Sequence, residues 1–336
     1  MSESGQGGQG QGQGECTSHP SHTPYDSYLK QKQHQLSEDA QEESYEFTYI
    51  LDTILPDLIF HNIQPTPLKI NTMTVVCKPF DDGIRFSIPK LKLIVLQKQE
   101  KGELDEGMTV STKGLGKNCI IFKWAQPIDN TDTYGNKKIR IRNISIKMFG
   151  NGSIHIVGVT RPIEALLISN YFYNFFQTIH VEEKKKLEET HPADPLIDKT
   201  CLTGMTESYS ICMIQSNFEI DYALRFSEFR EHWDVEAGDI IFNKESRHPG
   251  LQIKFKEMST SCILFTSGKI LITGATKPEH LEDVYKTVCD FIDRKKDIVT
   301  QPRVVQEKKI PQKRGRKRKA EHDAFYAEFD IEKDLE

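Results

Sequence analysis

The sequence predicts an α+β fold: an antiparallel sheet built by duplication, with helices packed on one of its faces. Three observations carry that expectation. The first is an internal repeat. "SIKMFGNGSIHIVGVTRPIEALLISNYFYNF" (145–175) lies over "SCILFTSGKILITGATKPEHLEDVYKTVCDF" (261–291) at a constant offset of 116, with nine identities in 31 ungapped positions. Among them are Ser145/Ser261, Phe149/Phe265, Gly152/Gly268, Gly158/Gly274 and Pro162/Pro278. The second is periodicity. "CILFTSGKILITGATKP" reads as two short strands joined by a Ser-Gly turn, and Leu281, Val284, Tyr285, Val288 and Ile292 then recur at helical spacing. The third is an excess of apolar surface. Cys262, Leu264, Ile270 and Ile272 form one face of the hairpin, yet the other carries Ile263, Phe265, Leu271 and Thr273. A sheet with helices on one side and water on the other should alternate apolar and polar residues. Something other than solvent is expected against the second face.

Each repeat reads as a strand, a helix, three strands and a closing helix. The first strands are "NTMTVVC" (71–77) and "YSICMIQ" (209–215), and the first helices "PKLKLIVLQKQ" (89–99) and "DYALRFSEFREHW" (221–233). Pro278 sits early in the closing helix, where the missing N–H is tolerated. The expected organisation is a disordered Gly/Gln-rich arm (1–44), a short apolar segment and boundary (45–67), repeat one (68–181), a polar linker (182–204), repeat two (205–296), and a basic then acidic tail (297–336). The apolar segment, "YEFTYILDTILPDLIFHNI", suits either a short helix or a docking segment.

Charge is unevenly spread. The net charge of −5 conceals "KKIPQKRGRKRK" (308–319), with eight basic residues in twelve and no acid. Residues 68–180 stand at +7 and 205–296 at −3. Within repeat two, the helix region 218–239 holds seven acids (Glu219, Asp221, Glu228, Glu231, Asp234, Glu236, Asp239) against Arg225 and Arg230, and the strand region 244–277 six bases (Lys244, Arg247, Lys254, Lys256, Lys269, Lys277) against Glu245 and Glu257. An acidic helical back and a basic, apolar front fit a polyanionic partner met by both phosphate and base contacts. The run at Lys313, Arg314, Arg316, Lys317, Arg318 and Lys319 suits a nuclear-localisation signal, a nonspecific DNA arm or a solvated charge run.

Other classes are disfavoured. No apolar run approaches the ~20 residues of a membrane span, and the N-terminus has no signal-peptide pattern, so an intracellular protein is expected. The seven cysteines are scattered without a Cys-x-x-Cys pair, which points to reduced thiols. The sequence has no metal-spaced histidine pair, phosphate-binding loop or nucleophile elbow, so neither enzymatic activity nor a cofactor is expected.

"CILFTSGKILITGATKP", with "HPGLQIKF" before it, resembles the second-repeat signature of TATA-box-binding proteins. The loop insertions and flanks look more like the TATA-binding-protein-like factors of large DNA viruses. The resemblance implies a curved, ten-stranded saddle with helices on its convex face, binding the DNA minor groove and bending it with phenylalanine wedges. Phe149 and Phe265 fall on one wedge position of each repeat; the partner positions hold Lys117 and His248 instead. Asn71 falls on a groove-contacting asparagine, with Ser210 as its counterpart. Thr273 and Val157 occupy a base-contacting position, Leu271 and His155 the apolar positions beside it, and Ile263 and Lys147 the adjoining strands. Lys123, Lys254 and Lys269 sit where phosphate contacts are placed. The implied function is a transcription initiation factor that bends A·T-rich promoter DNA and recruits a transcription factor IIB-like factor and RNA polymerase. It would act in a nucleus or, if viral, in a nucleus or cytoplasmic factory. The alternative is a protein-interaction module on the same fold that has lost specific DNA binding.

Overall fold

The computed structural model describes residues 37–55, 57–80, 83–111, 118–131, 137–190, 208–234, 238–241 and 250–303. After an N-terminal helix α1 (Glu38–Tyr49), the first half contains β1 (Lys69–Lys78), α2 (Ile88–Glu100), β2 (Met108–Val110), β3 (Cys119–Thr131), β4 (Lys137–Phe149), β5 (Ile154–Val159) and α3 (Pro162–Thr190). The second contains β6 (Ser208–Glu219), β7 (Tyr222–Leu224), α4 (Phe226–His232), β8 (Asp239–Ile241), β9 (Leu251–Phe255), β10 (Thr260–Leu264), β11 (Lys269–Ala275) and α5 (Pro278–Arg294). A short helix α6 (Lys296–Val299) and strand β12 (Thr300–Pro302) follow.

Ten strands form one sheet in the order β2-β3-β4-β5-β1-β6-β11-β10-β9-β8. That order is its own mirror about the β1–β6 seam: each half contributes five strands in the same sequence, outward from the centre. At the seam Met73 pairs with Ile214; Met73 also pairs with Val159, and Ile214 with Ala275. Val159 and Ala275 are themselves 116 apart, so the repeat seen in the sequence is the symmetry of the sheet. The fold is the TATA-binding-protein-like saddle that the resemblance implies.

The curvature has a local cause. Gly158 and Gly274 sit at matching irregularities, where β5 slips against β1 and β11 against β6. Both have positive φ, +111° and +91°, and an added Cβ would come within 2.7 Å of the Asn143 carbonyl oxygen and 2.8 Å of that of Ser259. Only glycine fits such a bulge, and bulges bend and twist a strand.

The long strands alternate where their burial is described. Cys262, Leu264, Ile270 and Ile272 are buried beneath the helices, as are Ile120, Phe122, Ile144, Ile146, Ile154 and Ile156 in the first half. Phe122, Phe172 and Phe176 pack edge-to-face and tilted in one half; in the other Phe229 stacks on Trp233 and both meet Phe291 edge-to-face. Burial there pushes the Cys77 thiol up to about 12, Ser169 offsetting it slightly, and raises Cys262 well above the thiol range. No helix of the described residues is long and apolar enough to cross a membrane.

Two features depart from the sequence reading. "DYALRFSEFREHW" is not one helix: Tyr222–Leu224 is extended and pairs with Thr300–Pro302, and the helix begins at Phe226. Its backbone partner arrives about eighty residues later, which helical periodicity does not register. The apolar segment before β1 forms a strap across the helices. α1 runs into a π-helical turn, Ile50–Ile54, and Phe47, Ile50, Leu55 and Ile63 are buried. The strap touches both α3 and α5. The Asp293 carboxylate on α5 accepts the backbone N–H groups of His61, Asn62 and Ile63 at 3.3, 2.5 and 3.0 Å.

Candidate nucleic-acid interface

The face opposite the helices is made by the residues between the buried ones. Across the first half, cross-strand neighbours run Lys123–Ser145–Val157–Thr74 and, one row along, Ile121–Lys147–His155–Val76. Across the second they run Lys254–Ser261–Thr273–Gln215 and Gln252–Ile263–Leu271–Asn217. Lys123 and Lys254 are exposed and the others half-exposed. No described helix or loop packs on this face. The apolar side chains among them, Ile121, Val157, Ile263 and Leu271, belong to no part of the hydrophobic core. The second face is thus open and partly greasy, as its sequence pattern implied.

The hairpin ends carry the two phenylalanines. Phe149 N–H donates to the Ser153 carbonyl at 3.0 Å, and Phe265 N–H to the Lys269 carbonyl at 2.9 Å. Gly152 and Gly268 close the same turn by donating back to Phe149 and Phe265. The backbone thereby presents both rings, half-exposed, at matching corners of the sheet. Their surroundings differ. Phe149 lies against His155 with ring centres 4.5 Å apart, beside a cleft of about 600 Å³ walled by Phe86, Pro89, Asn118 and Asn151. Burial, and then the neighbouring charge of Lys147, depress the His155 pKa and favour the neutral ring.

Cations dominate the two rows. Among the described residues no carboxylate pairs with Lys123, Lys147 or Lys254. Lys269 is different: its Nζ lies 3.3 Å from Glu219, which also meets Arg303 at 3.7 Å. Lys269 is half neutralised at the rim. Asn71 is exposed and stands at a bulge of β1. Its counterpart by register is Cys212, at the matching bulge of β6, whereas Ser210 pairs with Val76. Lys117, His248 and the basic residues of 313–319 lie outside the described residues.

Three carboxamides escaped the sequence reading: Gln215, Asn217 and Gln252. The signal was present in "ICMIQSNFEI", where Gln215, Asn217 and Glu219 alternate with Ile214, Ser216 and Phe218. Gln252 Nε2 donates to Ser261 Oγ at 3.2 Å, and the Thr273 hydroxyl lies 3.8 Å from Met213 Sδ. Among the described residues no group of three His, Cys, Asp or Glu side chains could hold a metal ion.

Residues 209–295, the second half of the saddle, match the family described as transcription factor TFIID, or TATA-binding protein, TBP. Among solved structures the chain matches Methanococcus jannaschii TBP at 16% identity, covering 68% of this chain and 98% of that chain with a TM-score of 0.37. No curated protein matches. The class is a two-fold saddle whose second half matches a transcription-factor family. More particularly, the segment 209–295 belongs to the TATA-binding-protein family, and the first half repeats its architecture strand for strand.

Proposed function

We propose that the open sheet face is a minor-groove DNA interface and that the protein is a TATA-binding-protein-like transcription initiation factor. It would bend A·T-rich promoter DNA and present its helical back to a transcription factor IIB-like factor and RNA polymerase. One observation carries this reading: a half-exposed, apolar and basic face that no described element covers. Phe149 and Phe265 sit at opposite corners, where apolar rings enter base steps most effectively and kink the duplex. TA steps unstack easily, so the deformation itself selects sequence. Lys123 and Lys254 reach phosphates and set position. The basic run within 308–319 would add phosphate contacts or direct nuclear import.

The test is binding of the full chain to an A·T-rich and a G·C-rich duplex at two salt concentrations, beside Phe265→Ala. The expected result is preference for the A·T-rich duplex, a steep salt dependence, and a loss of ~1–3 kcal/mol on substitution, the scale of one stacking contact. Equal binding to both duplexes, unchanged by the substitution, would instead assign the face to a protein partner.

A further inference from the structure

The two halves of the face share a backbone but not a chemistry, and the difference bears on which base pairs each can read. In the first half the inner row is Val76, His155, Lys147 and Ile121. Its matching row in the second half is Asn217, Leu271, Ile263 and Gln252, with Gln215 one row away. Where one half has Val76 and Ile121 flanking Lys147 and His155, the other has two carboxamides flanking an apolar centre. Thr74 is likewise replaced by Gln215.

The minor groove makes that exchange consequential. A·T and T·A pairs offer only acceptors there, adenine N3 and thymine O2. A G·C pair adds the guanine N2 amino donor at the groove floor. Lys147 only donates, and Val76 and Ile121 do neither. A guanine amino group pressed on that row loses its water and meets apolar carbon or a second donor, the one acceptor in the row being a ring nitrogen of His155, which lies against Phe149. A carboxamide can turn its NH₂ toward an acceptor or its carbonyl toward a donor. Gln252 is already oriented: Nε2 is held by Ser261, which leaves Oε1 as an acceptor with no partner among the described residues. Side chains of Gln215 and Asn217 make no hydrogen bond within the described residues, so both are available to the groove.

Resting on the minor-groove reading above, we infer that Asn217, Gln252 and Gln215 make the second half of the saddle tolerant of G·C pairs, while the first half favours A·T. The protein then reads an asymmetric site, and that asymmetry orients it on DNA. A duplex with A·T pairs at one end and G·C pairs at the other is bound with the second half over the G·C end.

The experiment uses the full chain and three duplexes of equal length: uniform A·T, uniform G·C, and a hybrid with one half of each. The hybrid is expected to bind within about threefold of uniform A·T, and uniform G·C more weakly by roughly tenfold or more, as an unsatisfied donor or mismatched pair costs. Asn217→Leu with Gln252→Leu should raise the ratio of uniform A·T to hybrid affinity to roughly tenfold. Lys147→Gln with His155→Gln should move the other way and narrow the gap between uniform A·T and uniform G·C. These are ratios within one variant, so a general loss of folding leaves them readable from the wild-type measurement. A hybrid bound as weakly as uniform G·C overturns the inference while A·T preference leaves the minor-groove function standing. Failure to bind any duplex overturns both.

Discussion

Lys123 and Lys254 show how much a single position can be read for. They lie in different halves, on strands whose lengths and loops differ, yet each faces a serine at the same place in its row, Ser145 and Ser261. On the proposed DNA interface the two would meet symmetry-related phosphates at opposite ends of the bound site. Each phosphate neutralised releases counterions, so Lys123→Ala and Lys254→Ala should each flatten the slope of log affinity against log salt by about 0.9. Lys269→Ala should change it less, because Glu219 already compensates that charge. Titrations at four or five salt concentrations distinguish these outcomes. Gly158 makes a different demand. Its φ of +111° and the Asn143 carbonyl 2.7 Å from any added Cβ predict that Gly158→Ala destabilises the fold by about 1–3 kcal/mol, read from the denaturant midpoint. Gly274→Ala should cost about the same, since the two bulges are equivalent.

At the scale of elements, the strap is the part whose role is least expected from its sequence. Burial alone would raise the Asp293 carboxyl, but the N–H groups of Asn62, His61 and Ile63 outweigh it and hold the pKa below its ordinary value. A carboxylate depressed in the folded state stabilises above its unfolded pKa, about 3.9, and that contribution fades as pH falls through the folded value. Amide exchange at 61–63, corrected for intrinsic rates, should therefore lose protection on acidification below about pH 4. Asp293→Asn should lose much of it already at neutral pH and flatten the pH dependence. None of this was legible in the sequence, because Asp293 lies some 230 residues from its donors. The hairpins were legible for the opposite reason: strand, turn glycine and partner strand are contiguous, so β10–β11 and the face of Phe265 follow from alternation alone. The three-residue edge strands β2 and β8 are too short for a periodic signal, and β7 is recruited by a distant partner. The alignment of β1 on β6 slipped by two residues, pairing Asn71 with Ser210 rather than Cys212, because bulges at both positions hide the true register.

On the scale of the whole molecule, two architecturally equal halves carry unequal surfaces. The overall −5 charge says nothing of this: helix α5 of the second half is acid-rich, whereas α2 of the first carries Lys90, Lys92 and Lys98 against Glu100. The seam adds a constraint of its own. β1 and β6 are joined along nearly their full lengths, and Met73 and Ile214 at its middle are completely buried. Neither half closes upon itself: cut from its twin, residues 205–303 would offer β6 as a bare, unpaired margin studded with apolar side chains. Such a margin recruits another strand. Expressed alone, that fragment should be recovered as a self-paired dimer on sizing with light scattering, rebuilding from two copies of one half the saddle that the intact chain assembles from unlike ones.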